Sequence, residues 1–548
     1  MPLLLSAGRF VNRVVHYRQE RPALTVGGAG LTIAGDSWTH ARTPSPCTGS
    51  LDDTRVAILD PVVGMRSLLA MAPASRNFAI ARTACHNLGV VLTHEALNNS
   101  VIGGGDLLDV MDRQPLDAVF TRPSSSHLQT LTDGIQRQRR AGYAREVVLM
   151  GTAELREQMS VIQPTATVDW PGGDAVRQVL GLEQALEATV RRLFHQAPGV
   201  ARFHEHWEGP IYHRAQAMVA AARCWARLGP DLLGTTVRIY DLEPGSVAVY
   251  TVQDGHCFRT VHDVWGCHSP GLARSPRDGV LAPTAGLAVC PNGQSIASWL
   301  PFRADPVELE NDVANYLLRP STVPETWREL LTRMAVTRAV ARRAAHIAAA
   351  NRPEGIGSGR PQRVVVTGNT VSGGHAGAIL LLVLDMAEPT GVTPIYLDHH
   401  GILPGLGALA LEGRELEAAE PGPHAPVMLL ATCIAPSHQA VDWQNPKDHT
   451  AAMVSAGIPG QNPVVFRLQP GMLSLLPLTA RHEVQLRLHP APGYDFGAGS
   501  GKVWEGIVSG GLLGLVFDTR GRPLVLPSHE DIRIARMRDW LAEVRRNG

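Results

Sequence analysis

Two stretches 235 residues apart, "LLLSAGRFVNRVVHY" (3–17) and "RIYDLEPGSVAVYT" (238–251), share one rhythm. Each is an apolar run, then a small or acidic residue, a Gly-containing turn, and a second run with alternating apolar positions. Period-2 alternation around a Gly turn reads as a strand hairpin. After the first hairpin come "RVAILDPVVG" (55–64), "LGVVLTH" (88–94), "LDAVFTRP" (116–123) and "REVVLMG" (145–151), with helical patterns between them. After the second come "RVVVTGN" (363–369) and "GVTPIYLD" (391–398). Short apolar runs that end in turn residues and alternate with helices are parallel strands of α/β units. The expectation is one kind of lobe built twice.

A chain of 548 residues exceeds one ordinary core and should divide. Helical patterns at 173–195, 213–228 and 324–350, a Gly/Pro-rich linker at 351–362 and a turn-rich break after 412 set the boundaries. We expect a first α/β lobe over 1–230, a second over 231–411 that includes the helix at 324–350, and a separate β-rich module over 412–548 with a final helix at 531–546. The arginine run of the 324–350 helix reads as a solvated face. "QDG" (253–255) reads as a hairpin turn.

Fifty basic residues balance fifty acidic ones, so no overall field attracts nucleic acid or an anionic membrane. Seven scattered cysteines without a C-x-x-C pair indicate neither a disulfide framework nor a zinc ribbon. The start "MPLLLSAGRF" has no basic leader, and no apolar run approaches the ~18 residues of a membrane span. The expected protein is soluble and cytoplasmic, binds neither nucleic acid nor membrane, and is open to homo-oligomer formation.

A nucleotide held between two lobes needs a tight Gly hairpin from each, with backbone N–H groups facing the phosphates. An Asp beside the turn would hold hydrated Mg²⁺. A glycine at a strand-to-helix turn would let adenosine approach. The two hairpins and "VTGN" stand in that order. These elements resemble the fold shared by actin, sugar kinases and chaperone ATPases, and the detail is similar to its MutL branch, the glutamate mutase L family. The likeness is most specific in 299–340, in "LVLDMAEPTGVTPIYLDHHGILPGLGALA" (382–410) and in "GGLLGLVFDTRGRPLVLP" (510–527). It implies an actin-like ATPase with ribonuclease H-like duplicated lobes. It also implies an accessory, chaperone or reactivase role toward an adenosylcobalamin-dependent mutase, and a protein partner from that mutase.

Carried across position by position, the family's nucleotide residues fall on Gly8, Asn12, Asp241, Gly245, Ser246, Gly368 and Asn369, with departures. Ser6 stands where the first loop has its Asp. Arg9 and Phe10 replace two threonines, Asn12 a third, and Arg13 the lysine. In the second loop Asp241 is kept, but Glu243 takes the glycine place and Pro244 follows it. In the third, Gly368 is kept and Asn369 replaces a glycine. A carboxylate within about 4 Å of a phosphate charge costs roughly 4 kcal/mol at an effective dielectric near 20. The expectation is therefore a degenerate ATPase fold with weak or no hydrolysis, for which ATP and Mg²⁺ are doubtful cofactors. The alternatives are an active reactivating ATPase and a small-molecule kinase.

Asp518, Arg520 and Arg522 in "DTRGRPLVLP" (518–527) are read either as a partner or anion site or as pairing across their own turn. "DFGAGSGKVWEG" (495–506) misses the phosphate-loop spacing at Phe496 and Val503, so it reads as a structural turn. His204, Glu205, His206 and His213 have no partner at zinc spacing, and "LDHHG" (397–401) reads as a strand-to-turn exit. No catalytic or metal-ligating residue is assigned.

Overall fold

The computed structural model describes residues 13–18, 23–28, 54–59, 65–71, 76–95, 116–122, 128–151, 157, 163–205, 207, 209–227, 236–243, 246–263, 296–318, 324–350, 362–371, 375–413, 427–437, 441, 443, 450–457, 462–478 and 482–546. The first strand, β1 (Arg13–Arg18), pairs antiparallel with both β2 (Ala23–Gly28) and β3 (Thr54–Leu59). Of the hairpin expected over 3–17, only 13–17 is described. It is a single strand whose hairpin partner is β2, downstream, and the turn at Gly8 lies outside the described residues.

The next strands form a sheet of their own. β4 (Arg66–Ala70), α1 (Arg76–Asn87), β5 (Val91–Glu95), β6 (Ala118–Thr121), α2 (Leu128–Arg140), β7 (Glu146–Met150) and β8 (Ala166–Val168) make five parallel strands in the order β5-β4-β6-β7-β8. Strand alternation sends Leu69 and Phe120 to one face, packed with α1 and with α3 (Ala175–Gln196) through Phe78, Ile80, Val179 and Leu186. It sends Leu68 and Val119 to the other, against Leu131 and Ile135 of α2. Burial on both faces is what permits parallel strands this apolar. After α4 (Pro198–His204), β9 (Ile211–His213) returns to pair with β3. The stretches at 55–64 and 145–151, read as one α/β run, thus belong to two sheets.

The second half follows its hairpin as read. α5 (Arg214–Arg227) leads to an antiparallel meander of β10 (Val237–Glu243), β11 (Ser246–Gln253) and β12 (His256–Asp263). Asp254 and Gly255, with φ of 50° and 79°, form its two-residue turn. Helices α6 (Pro306–Leu318) and α7 (Trp327–Ala350) precede β13 (Arg363–Thr367), α8 (Ala376–Ala387), β14 (Gly391–Leu397) and α9 (Leu403–Leu411). β13 lies parallel to β10, and β14 to β13. Along β10, Val237 and Ile239 face α5 and α9, whereas Tyr240 and Leu242 face α7 and α8. α9 approaches α5 so closely that a Cβ on Gly407 would land on the Ala217 carbonyl.

The boundary expected at 412 does not separate two sheets. β15 (Met428–Ala435) pairs with β14, and the sheet continues after it. β16 (Ala452–Gly457) and β17 (Val464–Leu468) follow in the chain, then β18 (Leu473–Leu476), β19 (Glu483–Pro490), β20 (Trp504–Ser509), β21 (Leu515–Asp518) and α10 (Glu530–Arg546). β21 and β18 extend the β10–β15 sheet to eight strands, and only β17-β16-β19-β20 form a sheet of the tail's own. The physical reason is visible in "MLLATCIA": a run apolar at every position but Thr432 can be buried on both faces, so it belongs inside a sheet. Met537 and Trp540 of α10 pack into the same core as α7 and α8.

Two arginines of the α7 run, expected on a solvated face, are buried. Arg338 and Arg342, one turn apart, are 3% and 1% exposed and lie over the Trp299 ring at 5.3 and 5.1 Å. Arg338 reaches Asp385 on α8 at 3.1 Å, and Arg342 reaches Glu388 at 2.7 Å. Arg520 is fully buried between Asp385 and Asp518, both at 2.8 Å, and stacks on Trp540. Helical charge runs usually face water, but here each guanidinium meets a carboxylate from another segment, which offsets the desolvation. Burial alone would raise the pKa of Asp518, yet Arg520 and Arg522 hold it far below the ordinary carboxylate range. A carboxyl depressed on folding contributes stability above its unfolded value of about 4, and that contribution is lost as pH falls further. Urea unfolding should therefore show stability falling below about pH 4, and Asp518→Asn should cost about 3–5 kcal/mol near neutrality and blunt that acid slope.

Candidate functional site

The parallel strands β10, β13 and β14 end together, and the carboxyl ends of parallel strands are where open α/β sheets present ligand sites. Alternation along β10 puts Asp241 and Glu243 on the same face as Val237 and Ile239, toward α5. Arg214, the first residue of α5, meets them there. It donates to Asp241 through Nη2 at 2.7 Å and Nε at 3.2 Å, and it reaches Glu243 at 2.7 Å. Arg214 and Asp241 are both buried, so this bidentate pair is shielded from water. Because α5 follows β9 directly, the contact also ties the first sheet to the eight-stranded one. Thr367, at the end of β13, donates to Asp398 at 2.7 Å, and Asp398 accepts the backbone N–H groups of Ile402 and Leu403 that open α9.

Of the nucleotide residues expected from the sequence, Gly8, Asn12 and Gly245 lie outside the described residues, and only the backbone of Ser246 is described. Asp241, Gly368 and Asn369 do come together at the strand ends. Their roles there are internal. Gly368 has φ +108°, and a Cβ on it would strike the Leu242 carbonyl, so glycine is needed for the close approach of β13 to β10. The next three N–H groups turn inward: Asn369 to a Glu243 oxygen at 3.4 Å, Thr370 to Leu242 O at 3.0 Å and Val371 to Gly368 O at 3.2 Å.

Asp518, Arg520 and Arg522 adopt the second of their two readings and pair across their own turn. Arg522 joins Asp518 at 2.7 Å and donates to Pro389 O at 3.0 Å, and all three side chains are almost wholly buried. The glycine loop at 493–502 is a structural turn. Gly497 and Gly499, both at positive φ, donate to Asp495 Oδ1 at 2.7 and 2.8 Å. His204 meets His195, Nε2 to Nδ1, at 2.9 Å, whereas His213 is buried and accepts the Ala215 N–H; His206 lies outside the described residues. Among the described residues no three His, Cys, Asp or Glu side chains converge as metal ligands, and no helix is long and apolar enough to cross a membrane. Burial pushes the Cys257 and Cys433 thiols up to about 12, well away from thiolate chemistry.

The sequence reading missed Arg214 and Asp398. A signal for each was present. A cation in the first turn of a helix opposes the helix dipole, so Arg214 needed a carboxylate from elsewhere. An Asp five residues before a helix start can fold back to receive its first N–H groups, as a capping carboxylate does.

No family model matches the chain, and no curated protein matches it. Among solved structures it is similar to the crystal structure of the ROK hexokinase from Thermus thermophilus, with 15% identity, 54% of this chain and 89% of that chain covered, and a TM-score of 0.21. It is also similar to Porphyromonas gingivalis acetate kinase, with 13% identity, 49% and 74% coverage, and a TM-score of 0.17. Likenesses this remote carry no argument about the site, and the mixed α/β architecture rests on the strand order above.

Arg214 is the residue on which the local geometry turns. Replacing it with Met should leave two carboxylates facing each other without a counterion and cost about 3–5 kcal/mol in chemical denaturation. The further exchange Asp241→Asn in that background should recover part of the loss.

Proposed function

We propose that the chain is a degenerate form of the actin-like ATPase fold that acts by binding another protein, with weak or no nucleotide hydrolysis. One observation carries this reading: at the described strand ends where a triphosphate would be held, the chain's own groups engage the carboxylate and the backbone amides that the ligand would need. Asp241, the carboxylate expected to direct Mg²⁺, is engaged bidentately by Arg214. The Asn369 amide goes to Glu243, and the Thr370 and Val371 amides go to backbone carbonyls. Among the described residues, two carboxylates and one guanidinium give a negative balance here, which disfavours a polyphosphate. The described residues here do not fit a magnesium-bound nucleotide.

For the partner, the sequence resemblance at 299–340, 382–410 and 510–527 supports a subunit of a cobalamin-dependent mutase. Co-expression and pull-down of the full chain with such a subunit tests that part: a stoichiometric complex is expected, and no association with any mutase subunit would remove it.

Calorimetric titration with Mg²⁺ and ATP tests the remainder. No saturable heat is expected up to about 1 mM nucleotide, which bounds binding weaker than about 4 kcal/mol. Micromolar affinity with phosphate release would overturn the proposal. The paired exchange Ser6→Asp and Glu243→Gly, which restores both family positions, is expected to gain binding that the parent lacks.

A further inference from the structure

The parallel sheet between β3 and β9 has a strand order, β5-β4-β6-β7-β8, that reads 2-1-3-4-5 in order of appearance. In that doubly wound order the chain reverses direction across the sheet at the first and third of these strands, here β4 and β6. The helices that follow them leave on opposite sides: α1 packs on the face carrying Leu69 and Phe120, and α2 on the face carrying Leu68 and Val119. Helices that diverge from adjacent strands leave a crevice at the carboxyl ends, which is the general location of ligands in open α/β sheets.

Arg122 sits at that point. It is the residue after β6, and its backbone N–H meets the last carbonyl of β4, Ala70 O, at 3.4 Å, beside the Thr121 hydroxyl, which donates to the same oxygen at 2.9 Å. The guanidinium lies 4.6 Å from the centre of the Trp170 ring, which comes from the segment after β8. Its Nη1 is buried and has no hydrogen-bond acceptor. Among the described residues no carboxylate pairs with it. Burial lowers its pKa with no opposing charge to raise it. This is the reverse of the situation at Arg214, Arg338, Arg342 and Arg520, each of which meets a carboxylate of the chain within 3.1 Å. A planar guanidinium fork held on an aromatic shelf, with a desolvated donor that the chain leaves without an acceptor, is the kind of group that takes a small oxyanion in two parallel hydrogen bonds.

We propose that the β4–β6 crevice of the five-stranded parallel sheet is a second ligand site, in which Arg122 receives the phosphate or carboxylate end of a small molecule. The site is separate from the strand ends at Asp241, and it stands whether or not the chain binds nucleotide there.

Calorimetric titration of the full chain with inorganic phosphate, and separately with succinate, distinguishes the two sources of the oxyanion. At least one should bind below about 10 mM, and Arg122→Gln should weaken it by about tenfold or more. Trp170→Leu, which removes the shelf, should weaken it as well, whereas Arg140→Gln at the exposed end of α2 should leave it unchanged. Phosphate binding alone assigns a phosphate end, succinate binding alone a carboxylate end, and either supports the proposal. No binding of either probe, or equal affinity in the parent and Arg122→Gln, would overturn it. Should circular dichroism show that Arg122→Gln does not fold, the Trp170→Leu comparison decides in its place.

Discussion

Arg214 holds two carboxylates of a neighbouring strand, and much of the architecture around the candidate site follows from that contact. The guanidinium enters from the turn between β9 and α5, so it belongs to the first sheet by connectivity. Asp241 and Glu243 belong to β10 of the eight-stranded sheet. A long cation on a helix start is the wrong charge for the dipole, and it is stable there only because a buried bidentate acceptor faces it. The same contact fixes the direction in which Glu243 points, and so brings its carboxylate onto the Asn369 amide. Position, charge and amide occupancy at the strand ends are therefore one arrangement, and they change together.

A second buried ion cluster does for the tail what Arg214 does between the sheets. α7 contributes Arg338 and Arg342, and the α8–β14 region contributes Asp385 and Glu388. The turn after β21 contributes Asp518, Arg520 and Arg522. Four guanidinium groups and three carboxylates from segments up to 184 positions apart meet in this cluster, and beyond the local pairing of Asp518 with Arg520 and Arg522 its contacts form only when α7, α8 and the turn after β21 come together. Leaving one charge of such a cluster unpaired costs far more than an exposed pair ever returns. The tail's strands β15, β18 and β21 also share a sheet with β14, so the 412–548 segment gains its core from the second half as well as from its own four-stranded sheet.

The sequence made the second half legible because its signals were local. Alternation at 238–251, the Asp-Gly turn at 254–255 and the apolar runs at 363–369 and 391–398 each named one element, and the order of the elements followed. What it concealed were properties set by tertiary partners. Periodicity in α7 showed that Arg338 and Arg342 share a helix face, but not that Asp385 and Glu388 would lie against that face. Nor could the five parallel strands be separated from the first sheet, since β3 and β4 are consecutive apolar runs and differ only in what they pair with. The site was half visible: Asp241, Gly368 and Asn369 were found through their resemblance to a known pattern. Arg214, which decides what they do, lay outside that pattern.

Backbone amides that could receive an anion are met by the chain's own carboxylates at three separate places. Glu243 takes the Asn369 amide after β13, Asp398 takes the first N–H groups of α9, and Asp495 takes those of Gly497 and Gly499 in the glycine loop. An intramolecular carboxylate competes with a dissolved anion at very high effective concentration, and its ordering cost is met once, on folding. At these three places the glycine turn or helix start is consequently a finished structural unit. By the same logic, a site for an external anion is to be sought where a buried donor has been given no internal acceptor, and a topological switch point that carries such a donor on an aromatic support meets that condition on two independent grounds.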